Sequence, residues 1–148
     1  MQHHTVPRII VVGFDGSSAG ARALDWAIGE ARRGRDIVRA VMVLPHDDLL
    51  PGTAFALQPH GRRPVTDEAE ARECLHTSVL AADPEPTAVI ESVVAGDPAT
   101  ELLKEAAGAD LLVVGGHGHG PFARRLLGSV AAHCLRRSSC PVVVLPPS

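Results

Sequence analysis

Residues 111–120 read Leu-Leu-Val-Val-Gly-Gly-His-Gly-His-Gly, four apolar residues that run directly into a glycine-rich segment. An uninterrupted apolar run rich in β-branched residues is typical of a strand that is buried on both faces of a parallel sheet. Residues 9–12 and 142–145 form runs of the same kind. Two further runs, residues 37–44 and 88–94, each contain a charged residue, which favours positions nearer an edge of the sheet. The sequence therefore predicts five strands.

Helical patterns lie between these strands. Apolar residues recur at helical spacing over residues 24–31, where Ser17 or Ser18 is the predicted N-cap and Gly34 the predicted stop. A second helix is predicted over residues 66–80. The first two of the four predicted helices thus connect the first three strands.

Two more helices flank the run at residues 111–114. Asp97 and Pro98 provide an N-cap and a proline at the first helical position, and Gly108 is the predicted stop. The predicted apolar stripe of this helix comprises Leu102, Leu103, Ala106 and Ala107. The last helix is predicted to begin at Gly128-Ser129 and to end at about Ser138.

Alternation of strands and helices predicts an α/β fold, an open five-stranded parallel sheet with helices on both faces. A length of 148 residues suits one domain, residues 1–148, with a single core. In such sheets, ligands bind beyond the carboxyl ends of the strands, where the strand order reverses. Residues 45–64 contain four prolines and two glycines and are predicted to form a long loop.

The composition excludes several classes of protein. A net charge of −3, with 14 basic and 17 acidic residues, argues against binding to nucleic acid or to an anionic membrane. No apolar run approaches the ~20 residues that span a bilayer. Residues 1–5 lack the pattern of a signal peptide, so we expect a cytoplasmic protein. The three cysteines form no CxxC pair and are predicted to be reduced.

Glycines and a helix start suggest a site for phosphate. Gly115 and Gly118 follow the predicted strand, and nine residues separate Gly118 from Gly128-Ser129. Glycines let backbone N–H groups approach a ligand, and the start of a helix offers unpaired N–H groups and the positive end of its dipole. The alternative is a tight connection without a ligand. Asp15, after the first strand, is open to two interpretations as well, a cap of the first helix or a ligand contact.

The spacing of these residues resembles the ATP-binding signature of the universal stress protein family. Gly115, Gly118 and Gly128-Ser129 match the pattern G-x2-G-x9-G-[ST]. The resemblance extends to residues 10–17 and 96–99 and covers nearly the whole chain. It implies a Rossmann-like fold of the adenine nucleotide alpha hydrolase type.

The resemblance also implies which residues form the nucleotide site: Gly13, Phe14, Asp15, Val43, Val114, Gly115, His117, Gly118, Gly128, Ser129 and Val130. In nucleotide-binding members of the family, the residues at Gly115, Gly118, Gly128 and Ser129 hold the phosphates and the ribose. The acid at Asp15 faces the adenine and ribose. The backbone at Val43 meets the adenine edge, and Val130 lies against the phosphates.

The function that this resemblance implies is nucleotide-dependent regulation in the stress response, with ATP, accompanied by Mg2+, as the ligand and little or no turnover. The last strand of the family pairs across a two-fold axis, which predicts a homodimer through Pro141–Leu145. An unidentified protein partner is expected as well. A slow ATPase and a nucleotide-free dimeric interaction module are the alternatives.

Charged residues near the motif have more than one interpretation. His117 and His119 form a His-x-His pair that occurs in zinc sites, but the sequence offers no evident third and fourth ligand. We therefore expect no metal ligand among the site residues, and we expect both histidines to lie in the phosphate loop or to face solvent. Arg124 and Arg125 either contact the terminal phosphate or lie in solvent.

Overall fold

The computed structural model describes residues 6–45, 67–116 and 127–146, and within these ranges the chain forms five strands and four helices. In chain order they are β1 (Ile9–Gly13), α1 (Ser18–Gly34), β2 (Ile37–Leu44), α2 (Glu68–Ala81), β3 (Ala88–Ala95), α3 (Pro98–Ala106), β4 (Leu111–Gly115), α4 (Ser129–Arg137) and β5 (Val142–Leu145). The predicted order of elements is confirmed. Of the loop predicted at residues 45–64, only Pro45 lies within the described residues.

The five strands form one parallel sheet in the order β3-β2-β1-β4-β5, which confirms the predicted fold class. The two apolar runs that contain a charged residue form β2 and β3. As expected, they lie toward one edge of the sheet, with β3 at the edge and β2 next to it. The chain moves outward from β1 through β2 to β3 and then returns to place β4 on the other side of β1. The strand order therefore reverses between β1 and β4.

Helices cover both faces of the sheet because each strand presents apolar residues in both directions. Leu24 and Ile28 of α1 share a buried cluster with Leu75 of α2 on one face. On the other face, Leu102 of α3 packs in a cluster with Ala131 of α4. Within the described ranges no helix is long and apolar enough to span a bilayer.

Several predicted helix ends are displaced by one or two residues. Gly34, the predicted stop, is the last residue of α1, and Arg35 follows it as the C-cap in the left-handed backbone conformation, with φ 58°. α2 begins at Glu68 with Asp67 as its N-cap, whereas residue 66 lies outside the described ranges. The predicted stripe of α3 is too long, because the helix ends at Ala106 and the next residue is exposed.

A buried carboxylate joins the amino ends of β1 and β2. Asp36 is 6% exposed and accepts hydrogen bonds from the Arg8 backbone N–H (2.9 Å), Nε (3.0 Å) and Nη2 (2.7 Å). Desolvation by itself raises the pKa of Asp36. The hydrogen bonds and the positive charge of Arg8 outweigh it and hold the pKa below its ordinary value. This ion pair lies at the end of the sheet opposite to the predicted site.

Candidate functional site

A cavity of about 320 Å³ opens at the carboxyl ends of β1, β2 and β4, where the strand order reverses. Its volume falls at the lower end of the range of about 300–1,000 Å³ that is usual for small-molecule sites. The ends of the three strands, the start of α3 and the start of α4 form its walls. The cavity thus lies where parallel α/β sheets bind ligands.

The segment after β1 forms one wall. The Phe14 N–H donates to the Val41 carbonyl (2.9 Å), which holds this segment against β2. Asp15 is exposed, and its Oδ1 accepts hydrogen bonds from the Ser17 N–H (2.9 Å) and hydroxyl (2.5 Å). Ser17 itself caps α1 by accepting from the Gly20 N–H (3.0 Å). The cap of α1 is therefore Ser17, and Asp15 holds the capping residue.

The opposite wall is the start of α4. Its N-cap, Gly128, has no side chain, and the first main-chain bond of the helix runs from the Ala132 N–H to the Gly128 carbonyl (2.9 Å). The N–H groups of Ser129, Val130 and Ala131 precede that bond and have no partner within the helix. All three residues line the cavity. Their N–H groups and the helix dipole make this wall suited to an anion.

The start of α3 carries a carboxylate as its cap, whereas the start of α4 is capped by a glycine. Asp97 caps α3 next to Pro98, which lines the cavity, and it accepts hydrogen bonds from the Thr100 N–H (3.0 Å) and hydroxyl (2.8 Å). These bonds, and to a smaller extent the charge of His133, hold the pKa of Asp97 below its ordinary value. A fixed carboxylate thus lies at the start of α3, so a phosphate is better placed at α4.

Two glycines of the site have a packing role. A Cβ added at Gly13 would lie 2.8 Å from Leu102 Cδ1, and one added at Gly115 would lie 2.9 Å from Ala19 Cβ. The sequence suggested that Gly115 keeps a side chain away from a ligand. The structure shows that the absent side chain of Gly115 also lets α1 approach the end of β4, and the contact of Gly115 with a ligand stays a prediction.

The structure brings nine of the eleven predicted site residues to the cavity: Gly13, Phe14, Asp15, Val43, Val114, Gly115, Gly128, Ser129 and Val130. The other two, His117 and Gly118, lie outside the described residues, as do His119, Arg124 and Arg125. Ligand contact by these residues stays a prediction.

The apolar floor of the cavity was not predicted from the sequence, and it includes Val41, Pro98 and Leu102. Val41 could have been found, because it lies two residues before Val43 and therefore on the same face of β2. Leu102 could not, because its place depends on how α3 crosses the sheet.

Metal-binding side chains do not cluster in the described part of the chain. Within residues 6–45, 67–116 and 127–146 there is no group of three or more His, Cys, Asp or Glu side chains that could hold a metal ion. The His117 and His119 pair lies outside these ranges. The described cavity wall offers oxygen ligands only from Asp15, Ser17 and Ser129 among its side chains.

Comparisons with known proteins agree on one family. A model described as the universal stress protein family matches residues 7–146. The chain is 35% identical over 147 residues to a universal stress protein of Mycobacterium tuberculosis, an alignment that covers 99% of this chain and 50% of the relative. The chain spans about half the length of the curated relatives that it matches.

Solved structures share the fold. One is a universal stress protein in complex with cAMP, which has a TM-score of 0.67, 30% identity and coverage of 97% of this chain and 100% of that one. Another is a universal stress protein from Archaeoglobus fulgidus in complex with dAMP, with a TM-score of 0.65, 24% identity and coverage of 95% and 98%. Both are complexes with adenine nucleotides.

Proposed function

The chain belongs to the universal stress protein family, and we propose that it binds ATP, with Mg2+, in the cavity at the carboxyl ends of β1, β2 and β4. We propose further that it acts as a nucleotide-dependent regulatory protein in the stress response, with little or no turnover. The observation on which this depends is the convergence of an apolar cavity floor with three N–H groups at the start of α4. The 30% identical relative solved in complex with cAMP supports the ligand class.

The two walls of the cavity suit the two ends of an adenine nucleotide. Val41, Val43 and Leu102 offer an apolar surface for a planar base. The start of α4 offers N–H donors and a positive dipole for phosphate, and hydrogen bonds to a charged group contribute about 1.5–3 kcal/mol each. Asp15, a carboxylate, attracts hydroxyl and amino donors and repels phosphate. In the proposed complex the phosphates therefore lie at α4 and the nucleoside lies between Asp15 and the apolar floor.

Mg2+ fits this site as a partner of the phosphates. Mg2+ in nucleotide sites takes one or two protein oxygens, several waters and the phosphate oxygens. The Ser129 hydroxyl, beside the proposed phosphate position, is the side-chain oxygen that would hold it. The ion would offset the negative charge of the phosphates.

Little turnover is expected because phosphoryl transfer needs cationic groups around the reacting phosphate and a positioned base. Among the described residues that line the cavity, the polar side chains are Asp15, Ser17 and Ser129, and none is cationic.

The experiment is a melting-temperature measurement with and without ATP and Mg2+. ATP at 100 times its Kd stabilises a folded protein by about 2.7 kcal/mol, which raises the melting temperature by several degrees. Gly128→Leu should abolish the rise and still fold, because the backbone at Gly128 (φ −63°, ψ 153°) is open to any residue. Gly29→Leu is the matched control, since a Cβ at Gly29 meets no atom within 4 Å. No rise in the unaltered protein at millimolar ATP would contradict the proposal.

A homodimer through Pro141–Leu145 is the proposed assembly. β5 lies at the edge of the sheet, and Val142 to Val144 are only half-buried. Leu127 and Leu135, 46% and 48% exposed, add apolar surface. An apolar edge strand tends to be covered or paired. Light scattering at micromolar protein should give the mass of two chains, and a monomer there would contradict the dimer.

Residues 1–148 are proposed to form one nucleotide-binding domain, in the cytoplasm, that acts on a protein partner yet to be identified. Cys74, Cys134 and Cys140 are free thiols. Thiols stay reduced in the cytoplasm, so this state agrees with the proposed location. Burial raises the pKa of the Cys134 thiol, which makes it unreactive.

A further inference from the structure

Hydrogen bonds connect the edge strand β5 to the start of α4. The Gly116 N–H donates to the Leu145 carbonyl (2.9 Å), and the Gly116 carbonyl accepts from the Gly128 N–H (3.2 Å). The Gly128 carbonyl in turn accepts the first main-chain bond of α4, from the Ala132 N–H (2.9 Å). A continuous series of hydrogen bonds therefore runs from β5 through Gly116 to the first turn of α4.

Side-chain packing joins the same parts of the chain. A Cβ added at Gly116 would overlap Val144 Cγ1, and it would lie 3.6 Å from Leu127 Cδ1. Val144 is branched at Cβ and is therefore stiff. The preceding residue, Val143, packs against the buried cluster on the opposite face of the sheet. A displacement of β5 is thus passed to the main chain of Gly116 by Val144 and not by Val143.

Both β5 and α4 are lightly anchored. Among the described strands, β5 pairs with β4 alone, and three of its four residues are half-buried. Two of the nine residues of α4 are buried, Ala131 and Cys134. Elements with few buried contacts open locally at a low cost in free energy. A ligand that holds the start of α4, or a chain that covers β5, therefore restricts the motion of both elements.

The open side of β5 suits a second copy of this chain. In a two-fold dimer the same surface faces itself, so a charged side chain near the axis would meet its own copy. Residues 138–146 contain no charged side chain. Leu127, which lies beside the same position as Val144, is apolar and 46% exposed. This edge of the sheet can therefore pair with itself without electrostatic repulsion.

We propose that ATP binding at α4 and association of two chains through β5 strengthen each other, and that Gly116 and Val144 couple them. The inference rests on the proposed nucleotide site and the proposed dimer, and it adds regulation of that site by assembly. Once one event has ordered β5 and α4, the other event has less motion to restrict. Because such coupling is reciprocal, the factor by which each bound ATP tightens the dimer is also the factor by which the dimer tightens ATP binding.

The test is sedimentation equilibrium of the full chain without ligand, with ATP and Mg2+, and with adenosine. ATP should lower the dimer dissociation constant by about 10-fold or more, within the range typical of coupled sites. Adenosine should leave the constant nearly unchanged, because it carries no phosphate for the start of α4. Hydrogen exchange at the Gly116 and Gly128 amides should also slow when ATP binds.

Val144→Ala and Val143→Ala are a matched pair of variants. Both remove the same two methyl groups from β5, so both should weaken the dimer. Val144→Ala also loosens the contact with Gly116, and the effect of ATP on the dimer constant should fall to about 2-fold or less. Val143→Ala, which packs on the other face, should keep the effect of the unaltered protein.

A second pair of variants tests the contact by restoring it. Gly116→Ala should displace β5, and it should reduce both ATP affinity and the effect of ATP on the dimer. Adding Val144→Ala should restore both, because the new Cβ takes the space that the two Cγ atoms leave. If Val144→Ala is monomeric at every concentration, this double variant decides the question.

The outcomes separate this inference from the proposed function. ATP binding that leaves the dimer constant unchanged, or an equal effect of ATP in Val144→Ala and Val143→Ala, would overturn the coupling and leave the nucleotide site standing. A chain that binds ATP and stays monomeric would overturn the coupling together with the proposed dimer. Absence of ATP binding would overturn the proposed function as well.

Discussion

Single residues at the ends of the strands that line the cavity also have packing roles. Gly115 belongs to the motif that resembles a phosphate loop, yet its absent side chain faces Ala19 of α1. Asp15, by contrast, is exposed, lines the cavity and is held by Ser17. A glycine in a motif is thus weaker support for a ligand than an exposed carboxylate that lines a cavity.

Gly115→Ala tests the packing role. The new Cβ would lie 2.9 Å from Ala19 Cβ and 3.0 Å from the Ala19 carbonyl carbon, so α1 must shift. We expect a loss of about 1–3 kcal/mol in the free energy of unfolding, measured by urea denaturation. Gly29→Ala should instead gain up to about 1 kcal/mol, because it adds helix propensity without a contact. Equal stability of the two variants would be inconsistent with the packing role.

The Asp36 carboxylate gives the stability a defined pH dependence. Its folded pKa lies below its ordinary value, so its contribution is complete above the unfolded pKa of about 3.9 and is lost as the pH falls through the folded pKa. At pH 7, Asp36→Asn should be less stable by about 1–3 kcal/mol, because buried hydrogen bonds from Arg8 lose their charged acceptor. Urea denaturation should show this difference shrinking below about pH 4. A difference that stays constant with pH would count against this role of the ion pair.

At the scale of elements, the strands were easier to predict than the helix ends. Uninterrupted apolar runs are stable in a sheet that is covered on both faces, and the three runs of this kind form strands, as do the two runs that contain a charged residue. Helix ends depend on tertiary contacts that the local pattern does not contain. Gly34, the predicted stop, is still part of α1, where its absent side chain accommodates the Asp36 carboxylate, and Arg35 makes the left-handed turn that ends the helix.

Arg35 in the left-handed conformation provides a test at the end of α1. A residue with a Cβ costs about 1–2 kcal/mol at φ 58°, and glycine avoids this cost. Arg35→Gly should therefore raise the free energy of unfolding by about 1 kcal/mol. Arg33→Gly, in the last turn of the same helix, should lower it by about 1 kcal/mol. Thermal or urea unfolding measures both, and the same sign for the two variants would argue against the assigned backbone conformation.

At the scale of the whole molecule, the alternation of strands and helices predicted the edge of the sheet at which the cavity lies. It predicted a parallel sheet, and the reversal of strand order between β1 and β4 places the cavity at their carboxyl ends. The floor under that cavity was not predicted, because Pro98 and Leu102 reach it only through the packing of α3 on the sheet. Sequence patterns thus located the edge of the sheet, and packing determined the shape of the site.

The proposed function depends on the N–H groups at the start of α4, which we propose bind the phosphates of an adenine nucleotide. Amide chemical-shift mapping by NMR with ATP and with adenosine tests it directly. We expect ATP to shift the amide signals of Ser129, Val130 and Ala131 and adenosine to leave them nearly unchanged. Both ligands should shift the amide signals of Asp15 and Val43. Unchanged α4 amides at saturating ATP, or equal shifts there with adenosine, would contradict it.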